Sequence, residues 1–564
     1  MLTSFWLAAT ALITLPAYAA ATPTPTVPKR DASPFVSLQN GDFSLNGGKF
    51  SFVGTNAYWL PYLNSDDDIA NTLANMSASG ITVVRTWAFN DVTTIPTAGS
   101  WLQLIQNGAT TINNGANGLQ RLDTIVQLAA QHNIYVLFSL TNNWNPVAIP
   151  ATPARRDTAS PLPRNYLSND YGGMDAYVRA FGTTQNHDEF YTNPTIRSFF
   201  EKYVQAIVSR FASNPHVLAW ELANDPRCNS TLPQTGTCTT NTITQWTADL
   251  SAFVRSIDPN HLVSSGDHGF LCPDCTKLFA LPAKPATSPV PGSSRRSLGG
   301  ALTKARLLKR IAEERRAAKR SAKADPNAIQ IRGRWAASSQ AKRQVSGVGP
   351  AFDGSFGVDS QDILSVPDIG FGSFQLLPDQ NSYATDPSSV IGPPSNNFGE
   401  TLQQGVSWIQ AQAASAQAVG KPLVLTEFGL VTQENIPFFV PFNATEPAAP
   451  AGVTRKRQSD AAGTIGTGVT DEQRDQAYTA WLEAGLAAGI QGMVQYQWSS
   501  QGLVPAVGTF IQGIINGQAQ SSGGGIDQSP NDGYGTLGQG QAEEQGILQT
   551  ASQNITTVEV LLRR

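Results

Sequence analysis

Asp225 and Glu427 each close a short apolar run, in WELANDPRC (220–228) and LTEFGL (425–430). Two carboxylates facing each other across a cleft can cleave a glycosidic bond. One protonates the leaving oxygen, and the other attacks the anomeric carbon or activates water. Attack requires the carboxyl groups about 5–5.5 Å apart. A lone carboxylate at a strand end also serves as a helix cap or a surface ion pair, so the surrounding residues must decide.

Those residues outline a barrel. Short apolar or β-branched runs occur at 52–56, 82–87, 134–140, 217–222, 261–265, 372–377, 423–427 and 492–498. IYVLFSL and PLVLTE are almost continuously apolar, as strands buried on both faces are. Helical patterns at 119–132, 195–213 and 471–488 lie between them. Eight strands with helical crossovers predict an α/β fold, a (β/α)8 TIM barrel. Active residues then come from C-terminal strand ends, where Asp225 (just past strand four) and Glu427 (strand seven) fall. Residues 145–170, 282–348 and 446–467 exceed a minimal barrel and read as surface insertions. Residues 513–540 read as loop, before a last helix at 542–560.

The chain has 564 residues, 41% hydrophobic and 14% charged, enough for a large core. Its first 19 residues resemble a signal peptide ending in Ala17-Tyr18-Ala19, and residues 20–30 a propeptide ending in Lys29-Arg30. The barrel domain then occupies 31–564, interrupted by 282–348 and 446–467. These features predict a secreted, extracellular protein. The four cysteines then favour disulfides, Cys228–Cys238 and Cys272–Cys275, over a zinc site at the Cys-x-x-Cys. Sequons at Asn75, Asn229, Asn443 and Asn554 fit the same route. Net charge is −4, yet residues 284–343 carry 16 Lys/Arg against 3 Asp/Glu. An acidic body with one basic island argues against nucleic acid as partner, and no run beyond the N-terminus is long enough to cross a membrane. A monomer is expected.

Several strings resemble fungal endo-β-1,4-mannanases of glycoside hydrolase family 5. They are GTNAYWLPY (54–62), VVRTWAFND (83–91), TNNW (141–144), YGGMDAYV (171–178), HDEFYTNPTIRSFFEKYV (187–204), WELANDPRC, LTEFGL and SPNDGY (529–534). The resemblance implies Glu427 as nucleophile and Asp225 at the acid/base position. It implies Asn224 on the sugar 2-hydroxyl and Arg85 beside the nucleophile. Arg227 is expected to reach leaving-group sugars, and Trp59, Trp87 and Trp144 to stack on sugars or pack the core. The partner is then a mannan-type polysaccharide. No cofactor or metal is required, since two carboxylates suffice.

The chain departs from the pattern at the site itself. Asp225 stands where the family has Glu, which retracts the proton by about 1 Å and can cost about 100-fold. The family string His-Leu-Tyr-Pro-Asp reads Gln375-Leu376-Leu377-Pro378-Asp379 here. The last strand's Trp-Gln aligns with Tyr496-Gln497, with Trp498 as the other platform candidate. Glu221 is expected to be a buried barrel carboxylate, and His268 a substitute for the missing imidazole. The alternative reading is a carbohydrate-binding barrel with impaired catalysis.

Overall fold

The computed structural model describes residues 33–147, 162–281, 348–387, 394–445, 467–506, 508–511, 527–536 and 539–562, together with Lys309, Arg316 and a small ribbon at 329–331 and 334–336. The N-terminal leader, Lys29-Arg30 and nearly all of the insertions at 282–348 and 446–467 lie outside the described residues.

Eight parallel strands form the barrel: β1 Phe52–Asn56, β2 Val83–Trp87, β3 Tyr135–Ser139, β4 Val217–Glu221, β5 Leu262–Ser264, β6 Gly372–Leu376, β7 Leu423–Phe428 and β8 Gly492–Gln495. They pair in the order 5-4-3-2-1-8-7-6. The remaining seam, β5 to β6, has one bridge, Ser264 to Phe371, and a bond from Gly370 N–H to the Val263 carbonyl; above it, Gln375 N–H and the Ser373 hydroxyl donate to the carbonyls of His268 and Asp267 in the segment after β5. All eight runs expected from the sequence are strands. The eighth is shorter than expected, ending at Gln495.

Helices α1 Asp66–Ala78, α2 Gln120–Gln131, α3 Pro194–Phe211, α4 Thr240–Ile257, α5 Ser360–Leu364, α6 Phe398–Val419, α7 Asp471–Ala488 and α8 Gln539–Leu562 follow the strands in turn. Their ends are written locally. Ser65 caps α1 by accepting from Asp67 and Asp68 N–H. Asn193 caps α3 ahead of Pro194. Thr470 and Gln473 form a capping box on α7, and Gly489 ends it in the left-handed conformation.

The N-terminal strands Ser37–Gln39, Asp42–Leu45 and Gly48–Lys49 form an antiparallel ribbon. Val36 and Phe43 pack there on Phe52, Phe371 and Val424, closing the bottom of the barrel. Chemistry is thereby left to the opposite, C-terminal mouth. At that end, loops following β3 and β7 meet: Asn169 Nδ2 donates to the carbonyls of Phe442 (2.7 Å) and Ala444 (2.9 Å).

Candidate active site

Arg85, near the middle of β2, organises the mouth. Its Nε and Nη2 fork onto Glu221, at 3.0 and 2.5 Å. Nη1 donates to Glu427 Oε1 at 2.5 Å and to Asn56 Oδ1 at 2.9 Å. Nη2 also reaches Asn224 Oδ1 at 2.8 Å. One cation thus joins the ends of β1, β2, β4 and β7 by five hydrogen bonds. Glu221 is the buried barrel carboxylate expected of it, and the charge it balances is Arg85.

Glu427 keeps Oε2 buried with no partner among the described residues. Burial pushes its carboxyl up to about 8, with Arg85 opposing and Glu221 and Asp225 adding to the rise. Asn224 accepts from Arg85 and from Gln375 Nε2 (3.0 Å) and donates to Asn142 (3.0 Å). Its amide plane is therefore fixed.

Asp225 is held differently from expectation. Its backbone is left-handed, φ 54°, a conformation Asp tolerates better than most residues. Oδ1 accepts from Arg227 Nε at 2.8 Å, and Oδ2 accepts from Trp144 Nε1 at 3.0 Å and lies 2.8 Å from Arg227 Nη2. Both oxygens are engaged. Arg227 therefore turns back onto Asp225. Its guanidinium sits 4.7–5.3 Å from the ring centres of Phe270, Phe356 and Trp144, a cage that favours a weakly hydrated cation.

The tryptophans are likewise committed to packing. Trp144 has Arg227 against one face. Trp87 has Arg85 at 5.1 Å over its ring, stacks with Phe89 and donates to the Ser168 carbonyl at 2.9 Å. Trp59 is fully buried. Trp498 lines an outer cavity of about 580 Å³ with residues of α1 and α8. Its backbone N–H donates to the Asn56 carbonyl at 2.9 Å, and Tyr496 N–H to the Phe428 carbonyl at 2.9 Å, so the chain stays on the barrel wall past Gln495. The Tyr496 hydroxyl donates to Asp532 Oδ2 at 2.6 Å, which also accepts from Ser168 at 2.9 Å. Burial pushes the Asp532 carboxyl up to about 6. Asp225 and Glu427 are each only 1% exposed.

Sequence reasoning missed Tyr383. It lies in the loop after β6, and its hydroxyl accepts from Leu377 N–H at 2.9 Å and pairs with His268 Nε2 at 2.7 Å. His268 Nδ1 is 3.4 Å from Arg227 Nη2 and 3.7 Å from Asp225 Oδ1. Burial holds His268 far below the ordinary imidazole range, at about 3, so it is neutral. A single Tyr in an irregular segment carries no spacing signal that could have found it. The HDEF string has a bracing role instead. His187 bridges Asp175 (2.6 Å) and Asn143 (2.8 Å), and Asn143 Oδ1 accepts from Arg227 N–H at 3.0 Å. Both expected disulfides form, Cys228–Cys238 and Cys272–Cys275. Among the described residues no group of three or more His, Cys, Asp or Glu is arranged to hold a metal.

The structure is thus a (β/α)8 barrel with carboxylates past β4 and on β7, the latter bound to an Arg from β2. Residues 33–282 match the family model described as glycoside hydrolase family 5 beta-mannosidase-like. That match spans less than half of this chain. The chain is 40% identical over 241 residues to mannan endo-1,4-beta-mannosidase F of Aspergillus fumigatus, covering 42% of this chain and 48% of that protein. The chain thus spans about half the length of this relative. It is 29% identical over 430 residues to mannan endo-1,4-beta-mannosidase A of Aspergillus aculeatus, covering 75% of this chain and 81% of that one. The endo-1,4-beta-mannanase structure from Rhizomucor miehei shares the fold at a TM-score of 0.56 and 22% identity, covering 93% of this chain and 99% of that one.

Proposed function

We propose that the protein is a secreted, retaining hydrolase of β-1,4-mannan. Glu427 attacks the anomeric carbon through Oε2 and forms a glycosyl-enzyme intermediate. Asp225 first protonates the leaving oxygen and then deprotonates the incoming water. Arg85 holds Glu427 Oε1 and orients Asn224 toward the sugar 2-hydroxyl. Tyr496 floors the cleaved sugar. The observation that carries this reading is the Arg85 hub. It binds Glu427 and Asn224 at once and leaves the second Glu427 oxygen unpaired. Relatives bearing mannosidase names support mannan as the polysaccharide. Sequons at Asn75, Asn443 and Asn554 are on exposed residues, which supports passage through a secretory route.

The Arg227 fork on Asp225 favours a second reading, a mannan-binding barrel with impaired turnover. For Asp225 to serve as the acid, it must exchange one of these bonds for a proton as substrate enters. New reducing ends from mannan and from β-1,4-glucan decide between the readings. Release from mannan, abolished by Glu427→Gln, supports hydrolysis. No release, with retardation in a mannan-containing gel, supports binding alone. A β-anomer as the first product, read by proton NMR, marks retention.

A further inference from the structure

Among the described residues, three polar features at the mouth bear on what could bind there. Glu427 Oε2 and Gln375 Oε1 are buried acceptors unpaired among the described residues. The third is the Tyr383 hydroxyl hydrogen, and its freedom follows from the chain of donors behind it. Arg227 Nη2, beside Asp225 Oδ2 (2.8 Å), also reaches Asn381 Oδ1 (3.2 Å) and His268 Nδ1 (3.4 Å), and a guanidinium can only donate. Nδ1 is then an acceptor, and His268 carries its proton on Nε2. That N–H donates to Tyr383 Oη at 2.7 Å, and Leu377 N–H donates to the same oxygen at 2.9 Å. Both lone pairs of the hydroxyl are taken, so its own hydrogen must seek an acceptor elsewhere. Tyr383 is buried, and the charges of Arg227, Asp225 and Glu427 all act on it.

We propose that Tyr383 is a substrate-contacting donor at the catalytic centre, aligned by His268. Together they supply, from the loops after β5 and β6, the phenol and imidazole absent at positions 377 and 375. Gln375 Oε1 is the matching acceptor for a hydroxyl of the same sugar. A donor chain that starts on a cation strengthens its last hydrogen bond, because each bond polarises the next. The hydroxyl therefore suits an oxygen that gains negative charge as the glycosidic bond breaks. This inference rests on the mannan-hydrolase reading above.

The test uses the full chain, with folding checked by circular dichroism. Tyr383→Phe is expected to lower kcat on mannan about 10- to 100-fold while KM moves much less, since the contact strengthens in the transition state. In the Glu427→Gln background, Tyr383→Phe weakens mannotetraose binding, read by calorimetry. His268→Phe keeps the ring stack but breaks the chain and is expected to cost about tenfold in kcat. The double variant is expected to be no worse than Tyr383→Phe alone, because the two residues act as one unit. A Tyr383→Phe enzyme within about twofold of the parent overturns the inference while leaving the hydrolase reading intact. If Tyr383→Phe does not fold, an unchanged kcat for His268→Phe overturns it. A parent protein that neither cleaves mannan nor, as Glu427→Gln, binds mannotetraose overturns both.

Discussion

Lengthening the acid at position 225 by one methylene sets two effects against each other. Asp225→Glu carries the carboxyl past the Arg227 fork toward a substrate and is expected to raise kcat on mannan by about 10- to 100-fold. It also places a longer side chain in a left-handed backbone, costing about 1 kcal/mol in urea unfolding. Gain in turnover with loss of stability is the expected signature. Arg85 sets the pH response. Burial raises Glu427 to about 8, and Arg85 restrains that rise. Since the nucleophile must be ionised, kcat/KM climbs with pH through this titration. Removing the cation in Arg85→Gln lets the carboxyl rise further, so the acidic limb of the kcat/KM profile moves to higher pH. A limb that stays or moves down contradicts the assignment. The positions of both carboxylates, Arg85 and Asn224 were legible because each sits in a specific string on, or just past, a barrel strand. The Arg227 fork was not: adjacency in Asp-Pro-Arg says nothing of whether the side chain turns back or outward. The cage that turns it back is built by Trp144, Phe270 and Phe356, from three distant segments.

The strands were the most legible elements, since burial on both faces leaves a run of apolar residues that no surface pattern mimics. Strand ends were less so. The run 492–498 looks uniform, yet the regular strand stops at Gln495, and beyond it Tyr496 and Trp498 are tied to Phe428 and Asn56 by single backbone bonds. The unequal seams have a measurable result. β5 and β6 share one bridge, whereas β6 and β7 pair over five registered positions. Amides of Leu262–Ser264 are expected to exchange with deuterium faster than those of Leu423–Phe428, read by mass spectrometry. Equal protection would place the weak seam elsewhere. The Cys228–Cys238 bridge, spanning ten residues, fixes the segment that begins with Arg227. Cys238→Ser is expected to cost about 2–3 kcal/mol.

At the scale of the molecule, loops from opposite strands β3 and β7 meet through Asn169, Phe442 and Ala444, on the side where Phe442 packs edge-on against Tyr496. Each of the two bonds contributes about 0.5–1.5 kcal/mol. Asn169→Ala is therefore expected to favour separated loops about tenfold. Cleavage of long mannan should gain more than cleavage of mannotriose, measured as the ratio of their kcat/KM values; an unchanged ratio means the contact does not limit access.

The ribbon at the floor of the barrel has a practical corollary. Because Val36 and Phe43 are wedged among Phe52, Phe371 and Val424, the chain enters the body at the pole opposite Asp225 and Glu427. A protein anchored to a bead or a cell wall upstream of residue 33 would present its mouth outward, free to meet a solid fibre.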